Sequence, residues 1–204
     1  MTQTIEISLS GTTDLPPGKI AAVVTSLEMR AAPERRADPP GSEAFALERL
    51  GAADVARYLA IYRRIGESWL WFSRLQEPRD RIEALLADPK IEAYALRHDG
   101  RDGGLLELDF RIEGEGELAF FGLDHPLVGR GAGRWLMNRA LALAWAKPIA
   151  RLWVHTCTLD HPSAPEFYQR SGFTPFKRGI EVADDPRLSG HLPLASASHH
   201  PVIE

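Results

Sequence analysis

The sequence predicts one α/β domain around a mixed, largely antiparallel central sheet flanked by helices. Three observations predict it. Two stretches with helical apolar spacing, around residues 55–69 and 78–88, are followed by three alternating runs split by "DGRDGG" and "GEG". A continuous apolar, β-rich run then lies between two further helical stretches. The resulting order is β-β-α-α-β-β-β-α-β-α-β, with no internal repeat and no second compositional zone.

The elements are justified in turn. "TIEISLS" (4–10) alternates polar and apolar residues and reads as a strand. "GKIAAVVTSLEMRAA" (18–32) reads as a second, with "LPPG" a hairpin-like turn between them. Residues 33–42, "PERRADPPGS", are loop by proline and charge content. Val55, Tyr58, Leu59, Tyr62, Ile65 and Trp69 form one apolar helical stripe, with Asp54 placed to cap its start. "PRDRIEALLAD" (78–88) is a second, short helix stopped at Pro89. "IEAYALRH" (91–98), "GLLELDFRIE" (104–113) and "ELAFFGL" (117–123) form an antiparallel meander. A helix over about 131–146 precedes the buried strand "ARLWVHTCTL" (150–159). "SAPEFYQRSGF" (163–173) is a short helix with Pro165 in its first turn and Gly172 just past its end, and "TPFKRGIEVA" is the last strand. Residues 1–183 read as the single domain, and 184–204, rich in Pro, Ser and His, as an extended C-terminal tail.

Composition narrows the function. The chain has 204 residues, 44% of them hydrophobic and 25% charged, as in a globular domain with a full core. A net charge of −4 argues against a nucleic-acid partner. The lone cysteine, Cys157, excludes an internal disulfide and a zinc cluster, and suits a reducing cytoplasm. "MTQTIEISLSG" lacks a basic n-region and an apolar h-region, so no signal peptide is expected. No apolar run approaches the ~18 residues of a membrane span.

"VGRGAGRWL" (128–136) sets Gly129, Gly131 and Gly133 with Arg130 and Arg134 before a run of helix formers. Free N–H groups at a helix start, reached through glycine, can hold a pyrophosphate, and the two arginines can add cationic contacts. A plain strand-to-helix turn needs glycine as well, so the spacing alone leaves both readings open. A P-loop is a poor fit, because no lysine follows before Lys147. A Rossmann turn fits poorly too: the spacing is G-x-G-x-G, and residues 149–155 hold no acid.

This stretch resembles the GNAT family of acyl-CoA-dependent N-acyltransferases, whose Q/R-x-x-G-x-G/A signature wraps the pyrophosphate of coenzyme A. Gly131, Ala132 and Gly133 match it, and Val128 stands where Gln or Arg is usual. One strand later, "LDHPSAPEFYQRSGF" (159–173) resembles the family's N-x-x-A-x-x-x-Y helix followed by G-F. Ala164, Tyr168, Gly172 and Phe173 match, and His161 replaces the Asn. The likeness covers roughly 45–182.

The resemblance implies a GNAT-like sheet and transfer of an acetyl group from acetyl-CoA to a primary amine, in a ternary complex. The other reading is an idle module that binds acyl-CoA. Tyr168 falls at the family's general-acid position, with core packing beside Phe167 as the alternative. Glu117, fourteen residues before Gly131, matches the offset of the catalytic glutamate in histone-type members. Glu107 and Asp109 are rival bases on one face of the neighbouring strand, and that face either lines an acceptor pocket or is wet. Phe121, Gly122 and Leu123 would lie along the cosubstrate and supply an oxyanion donor. Trp69 and Trp71, in "ESWLWFSR", would wall the acceptor or pack in the core. His155 and Cys157 sit two apart on a buried strand, where a core thiol is expected and no metal site. The expected partner is a small-molecule or peptide amine, with no membrane. A homodimer is compatible with such folds.

Overall fold

The computed structural model describes residues 6–204. In chain order these form β1 (Lys19–Met29), β2 (Phe45–Leu50), α1 (Val55–Gly66), α2 (Ser73–Gln76), α3 (Arg79–Ala87), β3 (Ile91–His98), β4 (Arg101–Asp109), β5 (Glu115–Leu123), α4 (Ala132–Trp145), β6 (Arg151–Cys157), α5 (Ala164–Arg170) and β7 (Thr174–Asp184). The seven strands make one sheet in the order β2-β3-β4-β5-β6-β1-β7. Every neighbouring pair is antiparallel except β5 and β6, which run parallel.

Each face of the sheet carries its own core. On one, Leu106, Leu108, Leu118, Leu152 and Val154 pack against Trp135, Leu136 and Ala140 of α4 and Tyr168 of α5. On the other, Ala93, Ala95 and Leu105 meet Tyr58, Ile61, Tyr62 and Ile65 of α1 and Ile82 and Leu86 of α3. Covered on both faces, β3 and β4 are buried over most of their length, Glu92 and Glu107 included.

Several sequence readings change. Residues 6–10 of the expected first strand form no strand (4 and 5 lie outside the described residues), and no hairpin joins them to β1. The other N-terminal strand is Phe45–Leu50, fixed by its antiparallel pairing with β3 rather than by its own pattern. The helical stripe ends three residues early: α1 stops at Gly66, a 3-10 turn carries Glu67–Trp69, and Leu70 turns left-handed at φ 52°. Asp54 does not cap forward; its carboxylate accepts from the Gly51 amide at 2.9 Å. The segment after β7, read as extended, is a series of turns. Its Leu192 and Ala197 pack with Leu70, and a buried Arg187 ties Asp185 to the carbonyls of Ser196 and His200.

Candidate active site

The site begins where β5 and β6 part. They pair only at Glu115, Gly116 and Glu117, against Arg151, Leu152 and Trp153. Beyond Glu117 the strands splay, leaving one edge of β5 without a strand partner. A bulge sharpens the turn-away: Glu107 pairs with Phe120 and Leu108 with Leu118, so Ala119 is the extra residue. The bulge reverses the alternation, sending Leu118 to the α4 core and Phe120 to the α1 core.

Into this opening falls a cavity of about 960 Å³. Phe121, Gly122, Leu123, Val128, Gly129, Gly131, Gly133, Arg134 and His161 line it, as do Trp69, Trp71, Asp109, Glu117 and Tyr168. Arg130 and Ala132 do not. Arg130 is turned to solvent, and Ala132 is fully buried under the first turn of α4.

At one end the cavity is made of backbone. Gly129 and Gly131 take positive φ, 78° and 85°, and Gly131 is the N-cap of α4 without a side-chain cap. Among the described residues, the amides of Ala132, Gly133 and Arg134 find no backbone acceptor, so they remain donors at the positive end of the helix. The 33–41 loop is strapped along α4. Asp38 accepts from Asn138 at 2.7 Å and pairs with Arg139 at 2.8 Å. The strap brings Pro39 so close that a Cβ on Gly131 would meet it at 2.8 Å. Gly133 has ordinary room, 3.6 Å from Leu123 and Phe167.

Across the splay the cavity is walled by side chains. Trp71 lies in a slot cut by two glycines: a Cβ at Gly66 would meet it at 2.3 Å and one at Gly122 at 2.9 Å. Its indole N–H donates to Asp160 at 3.2 Å. The same carboxylate accepts from the Thr156 hydroxyl and the Cys157 amide, both at 2.8 Å, so it ties α1's end to the β6–α5 turn. Trp69 stacks edge-on against His161 (5.2 Å) and against His199 of the C-terminal segment (5.9 Å).

Tyr168 is buried, ringed by Phe121, Phe167 and Phe173, and its hydroxyl has no hydrogen-bond partner among the described residues. Burial, and secondarily the Asp160 charge, push its pKa well up, so the phenol holds its proton. Glu117 lies 3.5 Å from Nδ1 of His155. Trp153 is opposite Glu117, and His155, two residues on, is its diagonal neighbour on the same face. A hydrogen bond donated by the ring to this carboxylate raises the His155 pKa against the opposing effect of burial.

One expectation about an acid and one about sulfur are corrected. Glu107 is neither wet nor cavity-lining. It is fully buried under α1 and α2, where it accepts from the Tyr58 hydroxyl and pairs with Arg74 at 2.5 Å. Asp109 reaches the cavity, but Arg111 occupies its carboxylate at 2.5 Å. Cys157 is not a core thiol. It is half-buried on the cavity wall, its pKa pushed up to about 11 by burial and the Asp160 charge.

The profile of the acetyltransferase (GNAT) family matches residues 58–173, more than half of the sequence. The chain belongs to the GNAT acetyltransferase family. Among curated proteins, the mycothiol acetyltransferase of Beutenbergia cavernae is 34% identical over 104 residues, which are 50% of this chain and only 34% of that protein's length. A GNAT acetyltransferase from Kribbella flavida superposes with a TM-score of 0.55 at 18% identity, over 84% of this chain and 62% of its own. An aminoglycoside acetyltransferase from an uncultured soil sample, solved with sisomicin, superposes at 0.54 and 14%, over 64% of this chain and 89% of its own. At these identities the structures establish the fold. Among the described residues, no helix of this GNAT chain is long and apolar enough to cross a membrane.

Proposed function

We propose that this protein transfers an acetyl group from acetyl-CoA to a primary amine by direct attack in a ternary complex. One observation carries the reading. A carboxylate–imidazole pair and an unpartnered phenol share a cavity that opens between two splayed strands and ends at a glycine-lined helix start. The mycothiol and aminoglycoside acetyltransferase relatives support acetyl as the group and a small molecule as acceptor.

In this reading the α4 amides and Arg134 hold the cosubstrate's pyrophosphate, and the free edge of β5 runs along its pantetheine arm. Acetyl-CoA supplies an activated carbonyl and a thiolate leaving group. An ammonium cannot attack, so Glu117, with His155 beside it, takes the amine proton. As the C–N bond forms, a β5 amide near Phe121–Leu123 donates to the oxyanion. As the C–S bond breaks, Tyr168 donates a hydrogen bond to the sulfur. A thiol of pKa ~8.5 is a stronger acid than this buried phenol, so Tyr168 stabilises the thiolate without surrendering its proton. The nitrogen loses two protons in becoming the amide, and both leave through the Glu117–His155 pair: one goes to solvent, and the departing thiolate takes up the other to end as the thiol. The lone thiol, Cys157, suits a cytoplasmic setting.

The test is thiol release from acetyl-CoA with a panel of primary amines, beside calorimetric titration with acetyl-CoA. Amine-dependent release is expected, with kcat lowered about 100-fold and KM little changed in Tyr168→Phe. Binding without release under any amine would favour the idle acyl-CoA module. Failure of the folded protein to bind acetyl-CoA would overturn both readings.

A further inference from the structure

β7 ends the sheet, and among the described residues nothing pairs with its outer edge. It is eleven residues long and exposed over most of its length. Exposed edges of this kind are usually shortened, interrupted by proline or covered. Here the one proline, Pro175, and the one bulge both lie at the N-terminal end of the strand. The stretch from Lys177 to Ala183 is regular. It pairs residue for residue with β1 on its inner side and is open on the other.

The two faces of this stretch differ. Lys177, Gly179 and Glu181 share one; Arg178, Ile180 and Val182 share the other. Ile180 is 52% exposed and Val182 39%, and Val23, opposite Ile180 on β1, is 40% exposed. Together they form an apolar stripe that begins at the open edge.

We propose that β7 pairs antiparallel with β7 of a second copy of this chain, about a two-fold axis at Gly179. The sequence is self-complementary in this register and no neighbouring one. With the axis at Gly179, Lys177 stands opposite Glu181 of the partner subunit, and the symmetry makes that pair twice. On the other face the stem of Arg178 covers Ile180 of the partner subunit. Moving the axis by one residue, to Arg178 or Ile180, sets Lys177 against Gly179 or Ala183 of the partner subunit and loses both charge pairs. Gly179 suits the axis, since no heavy atom lies within 4 Å of where its Cβ would be. The pairing reaches the cavity, because Glu181 is one of its lining residues. It does not depend on which reaction the cavity runs.

The test is sedimentation of the full chain and three variants, Lys177→Glu, Glu181→Lys and the double exchange, with circular dichroism to check folding. The wild type is expected to be a dimer at tens of micromolar, each single reversal to weaken it at least about tenfold, and the exchange to restore it. Ile180→Asp, which changes the apolar face alone, is expected to weaken it as well. A monomeric wild type overturns the proposal. So do single reversals that leave a dimer intact, and a folded double exchange that stays monomeric.

Discussion

The two ends of the cavity are built in different ways. The glycine end is backbone: positive φ at Gly129 and Gly131, three free amides, and a proline pressed against the one position where a Cβ cannot go. The tryptophan end is side chains held by other side chains: Trp71 in its glycine slot and on Asp160, and Phe120 under the guanidinium of Arg74, which is locked to Glu107 and Tyr58. A backbone site needs little support beyond its local turn. A side-chain site depends on buried partners from distant elements, and much of its cost is carried away from the cavity.

The comparison breaks most visibly at Arg74. Glu107 is fully buried, and burial opposes the Arg74 charge while Glu107 and Tyr58 keep the guanidinium protonated. Arg74→Met strands a buried carboxylate and is expected to cost about 3–5 kcal/mol in urea unfolding. Adding Glu107→Gln should recover part of that, because a neutral amide can still accept from Tyr58. If Arg74→Met unfolds like the wild type, the support assigned to this end is wrong.

The glycine end should discriminate between its own glycines. Gly131→Ala forces a left-handed residue to carry a Cβ against Pro39, for about 1–3 kcal/mol. Gly133→Ala meets only ordinary contacts inside a helix and should be neutral or stabilise by about 0.5–1 kcal/mol. Thermal unfolding of the two variants separates them. Equal losses would mean that neither the turn's φ nor Pro39 sets the requirement.

The same contrast explains what the sequence reveals. The meander, α4, the glycine turn and Tyr168 are local signals: alternation, capping glycines, a short pattern followed by Gly172 and Phe173. Glu107 is misread because alternation tells which face a residue shares, not what roofs that face; its partner Arg74 is thirty-three residues away on α2. His155 escapes notice as a partner of Glu117 because their contact exists only in the parallel β5–β6 register. Residues 6–10 continue a pattern that alternates as well as any strand, yet a strand is made by its neighbour. That neighbour, β3, takes Phe45–Leu50 instead.

The smallest expected effect is the most informative about the chemistry. Glu117 raises the His155 pKa, so the midpoint of this histidine, followed by NMR, should lie above the ordinary ~6.5. Glu117→Gln should bring it down. The sign for stability follows from a raised value in the fold. The pair's contribution is fully present below the unfolded pKa of ~6.5 and is lost as pH rises through the folded value. Activity should run the opposite way, rising through that same midpoint as the imidazole becomes neutral and the pair able to accept a proton. A wild-type midpoint unmoved by Glu117→Gln would separate the two residues. Glu117 would then have to work alone at the vertex of the splay, with no imidazole to pass the amine's proton on to solvent.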